Sequence, residues 1–161
     1  MKQKTLSIAE SCTGGLLGHR ITQVPGSSRY FVGGLIAYSD DAKTRLLGIS
    51  KTGLAKHGAV SAYTAGSMAK KVRQLFRTDL GVGITGIAGP GGGSRKKPVG
   101  LVYIAVSTPR RTRCERCRFK GSRSRIKSRA ARQALKLLRR EFGAPRTGSP
   151  GLRNRRRYRR S

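Results

Sequence analysis

A hydroxyl, a thiol and a second hydroxyl sit together in Glu10-Ser11-Cys12-Thr13-Gly14-Gly15. The short apolar run Leu6 to Ala9 precedes them, and an apolar-periodic segment, Leu16 to Val24, follows. That pattern reads as strand, tight turn and helix. It presents Ser11 as a candidate nucleophile at the mouth of a helix. Thr13, Gly14 and Gly15 supply backbone that a ligand can approach closely. Their N–H groups are candidates to hold an oxyanion during acyl transfer. The same residues also fit a plain helix start, with Ser11 or Thr13 as its cap.

A serine needs a base. Tyr38 ends an aromatic and β-branched run, and Lys43 lies in the first turns of the next helical segment. A desolvated lysine beside a tyrosine can take a serine proton without histidine. A packed Tyr38 and a solvated Lys43 are the simpler alternative that spacing leaves open. The stretch Thr85-Gly86-Ile87-Ala88-Gly89-Pro90-Gly91-Gly92-Gly93-Ser94 is a cradle for phosphate or an oxyanion by composition. It also fits a long surface loop. No Gly-Lys-Ser/Thr closes it and a strand follows, so it is neither a Walker loop nor a dinucleotide fingerprint.

Other chemistries find little support. His19, read as a helix-face residue, and His57, read as a loop residue, have no partner at metal or triad spacing. Asp40, Asp41 and Asp79 are too scattered for a carboxylate pair, which argues against glycosidase and two-metal sites. Cys114 and Cys117 form a lone CxxC with no second pair, which reads as incidental thiols. No metal and no cofactor is expected.

The elements that must position these residues can be read in order. Strands are expected at 5–10, 30–38, 80–84, 99–107 and near 113–120. Helices are expected at 14–24, from Ser39 to about Leu47, at 62–77 behind Ser61, and from Ser122 to Phe142, with Gly143 as the stop. Gly33-Gly34 inside the second strand suggests a bulge or a close backbone contact. On the helix at 62–77, Ala65, Met68, Ala69, Val72 and Phe76 form one apolar stripe. On the last helix, Ile126, Ala130, Ala134, Leu137 and Leu138 face inward. Strands alternating with helices argue an α/β fold.

The chain has 161 residues, long enough for one domain with a real core. It carries 36 Lys and Arg against 6 Asp and Glu, a net charge of +30. The excess is uneven: residues 109–161 hold 21 Lys and Arg against 2 acids. Such an excess suits nucleic acid, anionic surfaces or phosphorylated ligands. Residues 144–161 surround Tyr158 with arginines and read as a basic, disordered tail, leaving residues 1–143 as the folded domain. There is no apolar run of membrane-spanning length and no signal-peptide core near Met1, so a cytoplasmic protein with no membrane partner is expected.

Taken together, AESCTGGLLGHRITQVPGSSRYFVGGLIAYSDDAKTRLLGI, HGAVS, GITGIAGPGGG, KPVGLVYIAVS and FKGSRSRIKSRAARQAL follow one another in an order that resembles the C-terminal domain family of the competence/damage-inducible protein CinA. The resemblance covers about residues 5–142. Stand-alone members of that family are nicotinamide-nucleotide amidohydrolases (PncC), which convert nicotinamide mononucleotide to nicotinate mononucleotide and ammonia. The resemblance implies a three-layer α/β/α sandwich around a mixed sheet. It implies Ser11 as nucleophile, Tyr38 and Lys43 as its partners, and Thr85 and Arg123 at the site. The loop residues Gly86, Gly89 and Gly91, with Arg123, would hold the ribose phosphate. A small phosphorylated substrate and a homo-oligomer are the expected partners. A different expectation follows from charge alone: an amidase-like fold serving as a basic module that binds nucleic acid non-specifically, with the tail as its contact.

Overall fold

The computed structural model describes residues 3–143. Five strands, β1 (Leu6–Glu10), β2 (Phe31–Ile36), β3 (Leu80–Gly86), β4 (Leu101–Ser107) and β5 (Thr112–Arg118), form one sheet in the order β2-β1-β3-β4-β5. β1 runs parallel to both β2 and β3, whereas β4 and β5 are antiparallel to their neighbours. The sheet is mixed, as expected.

Helices cover both faces and complete the three layers. On one face lie α1 (Leu16–Thr22) and α5 (Arg123–Phe142), which meet Ile8, Val82, Ile84 and Ile104 over a core closed by Ile126, Ala130 and Leu138. Fully burying such a branched side chain stabilises the fold by roughly 1.5–3 kcal/mol. On the other face lies α4 (Ala62–Leu75), with α2 (Asp40–Leu47) and α3 (Lys51–His57) packed against it.

The two faces are packed by different means. β3 reads Leu-Gly-Val-Gly-Ile, so its large side chains all point to the α1/α5 face and its glycines to α4. A Cβ at Gly81 would meet the Ala69 carbonyl, and one at Gly83 would meet the Ala65 carbonyl. The helix backbone rides on the strand at those points, and only glycine admits that approach.

Local signals explain most boundaries. Ser39, Ser50, Ser61 and Ser122 each cap a helix, their hydroxyls accepting N–H bonds from Ala42, Gly53, Thr64 and Arg125. The register between β1 and β2 shifts between Leu6 and Ser7, opposite Phe31 and Gly33, which is the expected bulge.

Three expectations need correction. The first helix is shorter than 14–24, because Gly14 and Gly15 take left-handed backbone angles (φ 58° and 94°) and delay it to Leu16. His57 is not a loop residue but ends α3, a seven-residue helix too short to show an apolar period. Leu137 is only half-buried, and Ala131 takes the inward position. The expected basic tail, 144–161, lies outside the described residues.

Candidate active site

The carboxyl ends of β1, β2 and β3 lie at the same edge of the sheet because these three strands are parallel. Ser11 follows the end of β1, Tyr38 follows the end of β2, and Thr85-Gly86 closes β3. The loop from Ile87 to Gly100 then crosses that edge before β4 returns. Ligands of open α/β sheets bind at such an edge.

A cavity of about 300 Å³ opens there. Of the residues singled out above, Ser11, Tyr38, Lys43, Thr85, Gly86, Gly89, Gly91 and Arg123 all line it. Residues separated by more than a hundred positions are thus brought into one space. Thr13, Gly14 and Gly15 do not line it.

The backbone of Ser11 is fixed by the sheet, its N–H donating to the Ile84 carbonyl at 2.9 Å. Its Oγ reaches the Tyr38 carbonyl at 3.5 Å. Lys43 is only 1% exposed, so the solvated alternative is wrong. Ser39 starts α2, and a helical side chain leans toward its own N-terminus. The Lys43 ammonium therefore points back at the turn, donating to Tyr38 O at 3.0 Å, Ser39 O at 3.4 Å and Asp40 Oδ1 at 3.4 Å. Ser11 and Lys43 thus converge on one carbonyl.

Tyr38 meets Lys43 through its backbone carbonyl rather than its phenol. Its phenol is turned to Arg123, which donates to the Tyr38 hydroxyl at 2.7 Å and to Gly89 O at 2.6 Å. Arg123 opens α5, and so ties the glycine loop, Tyr38 and the last helix together. Thr85 is fully buried and donates to Ala59 O at 2.8 Å.

Glu10 is the residue whose part sequence reasoning missed. It is 1% exposed, and its carboxylate accepts the N–H groups of Gly15 (3.1 Å), Leu17 (3.0 Å) and Gly18 (2.8 Å). These charge-assisted bonds clamp the turn that carries Ser11. The only signal was its place, a carboxylate ending a strand just before a turn and a helix start. The clamp also corrects the oxyanion expectation. The Gly15 N–H is committed to Glu10, and the Gly14 N–H to the Ser11 carbonyl at 3.0 Å. Of the three proposed donors, Thr13 alone keeps an uncommitted N–H among the described residues.

Cys12 also lines the cavity, so the choice between hydroxyl and thiol has to be made on environment. Burial pushes the Cys12 thiol up to about 12, with Glu10 adding to the rise and Lys127 and Arg123 opposing it. A thiol held neutral at ordinary pH is a poor nucleophile. Cys114 and Cys117 are three apart on β5, and so project from opposite faces of the strand, away from this cavity.

Solved structures share the architecture. The competence/damage inducible protein CihA from Agrobacterium tumefaciens superposes with a TM-score of 0.81 at 40% identity, covering 84% of each chain. A competence-damaged protein (CinA) superfamily protein from Klebsiella pneumoniae 700603 gives 0.84 at 31% identity, covering 87% of this chain and 88% of that one. These are similar α/β proteins of one superfamily. The family model described as the CinA C-terminal domain matches residues 1–142, and the chain belongs to that family. A putative competence-damage inducible protein from Moorella thermoacetica is 53% identical over 140 residues, 87% of this chain. A CinA-like protein from Acidobacterium capsulatum is 51% identical over 142 residues, 88% of this chain. The chain spans 34% of the length of each of these two relatives.

Proposed function

We propose that the chain is a nicotinamide-nucleotide amidohydrolase, hydrolysing the carboxamide of nicotinamide mononucleotide to nicotinate mononucleotide and ammonia. The observation that carries this reading is the convergence of Ser11 and a buried Lys43 on one carbonyl inside the cavity at the strand ends.

The steps follow from the groups present. Lys43 takes the Ser11 hydroxyl proton as Oγ attacks the carboxamide carbon. The carbonyl oxygen becomes an oxyanion at the tetrahedral stage, where backbone N–H donors facing the cavity would stabilise it. The C–N bond breaks, Lys43 returns the proton, and ammonia leaves an ester on Ser11. Water, deprotonated by the same amine, then attacks the ester, releasing the carboxylate product and restoring the serine. Tyr38, held by Arg123, orients the carbonyl on which Ser11 and Lys43 converge. The Gly86, Gly89 and Gly91 loop and Arg123 line the side of the cavity assigned to the sugar phosphate.

The test is ammonia release from nicotinamide mononucleotide by the purified protein, with Ser11→Ala beside it. The reading predicts release by the parent and a loss of about 10⁴-fold or more in the variant. Undiminished release by Ser11→Ala would end the serine mechanism. No release by a folded parent would end the substrate assignment.

A further inference from the structure

The two edges of the sheet are built differently. β5 forms one edge, and Arg113, Arg116 and Arg118 stand along it. A strand so charged repels another copy of itself. β2 forms the other edge and reads Phe-Val-Gly-Gly-Leu-Ile, with no charged residue and no proline to guard it. The chain from Tyr30 to Asp41 holds no Lys or Arg, although the protein carries 36.

The outer side of β2 is also open. The Ala37 N–H donates to Glu10 O at 2.9 Å, so Ala37 and, two residues back, Leu35 turn their backbone groups toward β1. Strand geometry then turns the N–H and C=O groups of Gly34 and Ile36 away from the sheet. Among the described residues no hydrogen bond reaches them from that side. Burial alternates along β2, leaving Val32, Gly34 and Ile36 on its exposed face. Val32 and Ile36 are each 53% exposed, an unusual state for large apolar side chains in a strand.

We infer that β2 pairs with itself: a second copy of this chain adds its β2 antiparallel to the first, across a two-fold axis at Gly34, so that one sheet runs through both copies. The sequence of the strand is self-complementary about that axis. The two-fold sets Val32 of each copy opposite Ile36 of the other, so one operation covers both exposed side chains. At the axis two glycines face each other and no side chain separates the backbones. The flanks agree in charge. Exposed Arg29 lies just before β2, and Asp40 and Asp41, both exposed, lie just after it. Antiparallel pairing brings the leading end of each strand beside the trailing end of the other, so opposite charges meet on both sides of the axis. A parallel partner would set like ends together. The pairing is independent of the reaction assigned to the cavity.

The experiment is sedimentation velocity on the full chain over a dilution series, at about 0.15 M salt to screen the overall charge. Val32→Lys and Val32→Ile are run beside the parent. Val32 is exposed, so circular dichroism is expected to be unchanged in both variants. The expected result is a dimer for the parent and for Val32→Ile, with a dissociation constant raised about tenfold or more by Val32→Lys. Amide hydrogen exchange on the parent gives a second reading that needs no variant. The N–H groups of Gly34 and Ile36 are expected to slow as protein concentration rises, while those of β5 do not change. A monomer at every concentration overturns the pairing. A dimer that Val32→Lys leaves intact, with Gly34 and Ile36 exchanging freely, overturns it as well, because such a dimer forms through another face. If Val32→Lys fails to fold, exchange at Gly34 and Ile36 that ignores concentration is the overturning result.

Discussion

Two concavities among the described residues lie at opposite ends of β1, and the smaller of the two gathers the candidate catalytic groups. Leu6 opens β1 and faces a groove of about 660 Å³ between α1 and α5, lined by Ile21, Tyr30, Leu135, Leu138 and Phe142. Ser11 follows the other end of β1 and faces the cavity of about 300 Å³. The groove is apolar, edged by arginines, and gathers no hydroxyl and base together. The cavity is smaller but holds a serine, a buried lysine, a threonine, an arginine and a glycine loop. Parallel strands place their carboxyl ends together, and reactive groups collect there. Volume and apolar lining suit a binding surface, but a reaction needs polar groups that converge.

The contrast can be broken by substitution at either end. Lys43→Met keeps the buried stem and removes the amine, so the rate of ammonia release is expected to fall by about 10²–10⁴-fold, with little change in circular dichroism. Leu138→Ala, in the groove, is expected to lower stability by about 2–5 kcal/mol in urea titration while leaving kcat within about twofold. Equal losses of kcat from both would erase the distinction between the two concavities.

Glu10→Gln tests the clamp behind the cavity. The amide accepts less well and brings a donor toward three N–H groups, so a loss of about 2 kcal/mol in stability is expected, with a fall in kcat as the Ser11 turn loosens. Unchanged stability would mean the clamp is unimportant. The smallest effect is expected at Cys12. With its thiol pushed up to about 12, it is neutral at pH 8.5 and gains thiolate only as pH rises toward that value. Burial pushes the Cys114 thiol up as well, to about 11, but Cys114 is exposed where Cys12 is buried, so iodoacetamide should label Cys114 before Cys12 in the native protein, as read by peptide mass mapping. Early alkylation of Cys12 would contradict its burial and reopen the choice of nucleophile.

Sequence and structure agree where the signal is local. Serine caps, the Gly33 bulge and the apolar runs mark β1 to β5 and the longer helices, because each is written within a few residues. α3 was invisible because seven residues with Gly53 in the middle carry no period. The membership of the cavity was also foreseeable, but only through family resemblance. No spacing in the chain says that residue 11 meets residue 43, or that residue 123 meets residue 38. The roles within the site were the least legible part. Glu10 looked like the end of a strand, and its carboxylate consumes N–H groups that composition alone had offered to an oxyanion. Tyr38 contributes its carbonyl to Ser11 and Lys43 and its phenol to Arg123, a division that no sequence pattern encodes.

The most direct measurement is a crystal structure of the Ser11→Ala protein soaked with nicotinamide mononucleotide. The account predicts the nucleotide in the cavity at the carboxyl ends of β1, β2 and β3, its carboxamide carbon facing residue 11 and its amide within reach of Lys43. Nucleotide seated instead in the groove between α1 and α5, with the cavity unchanged, would contradict it.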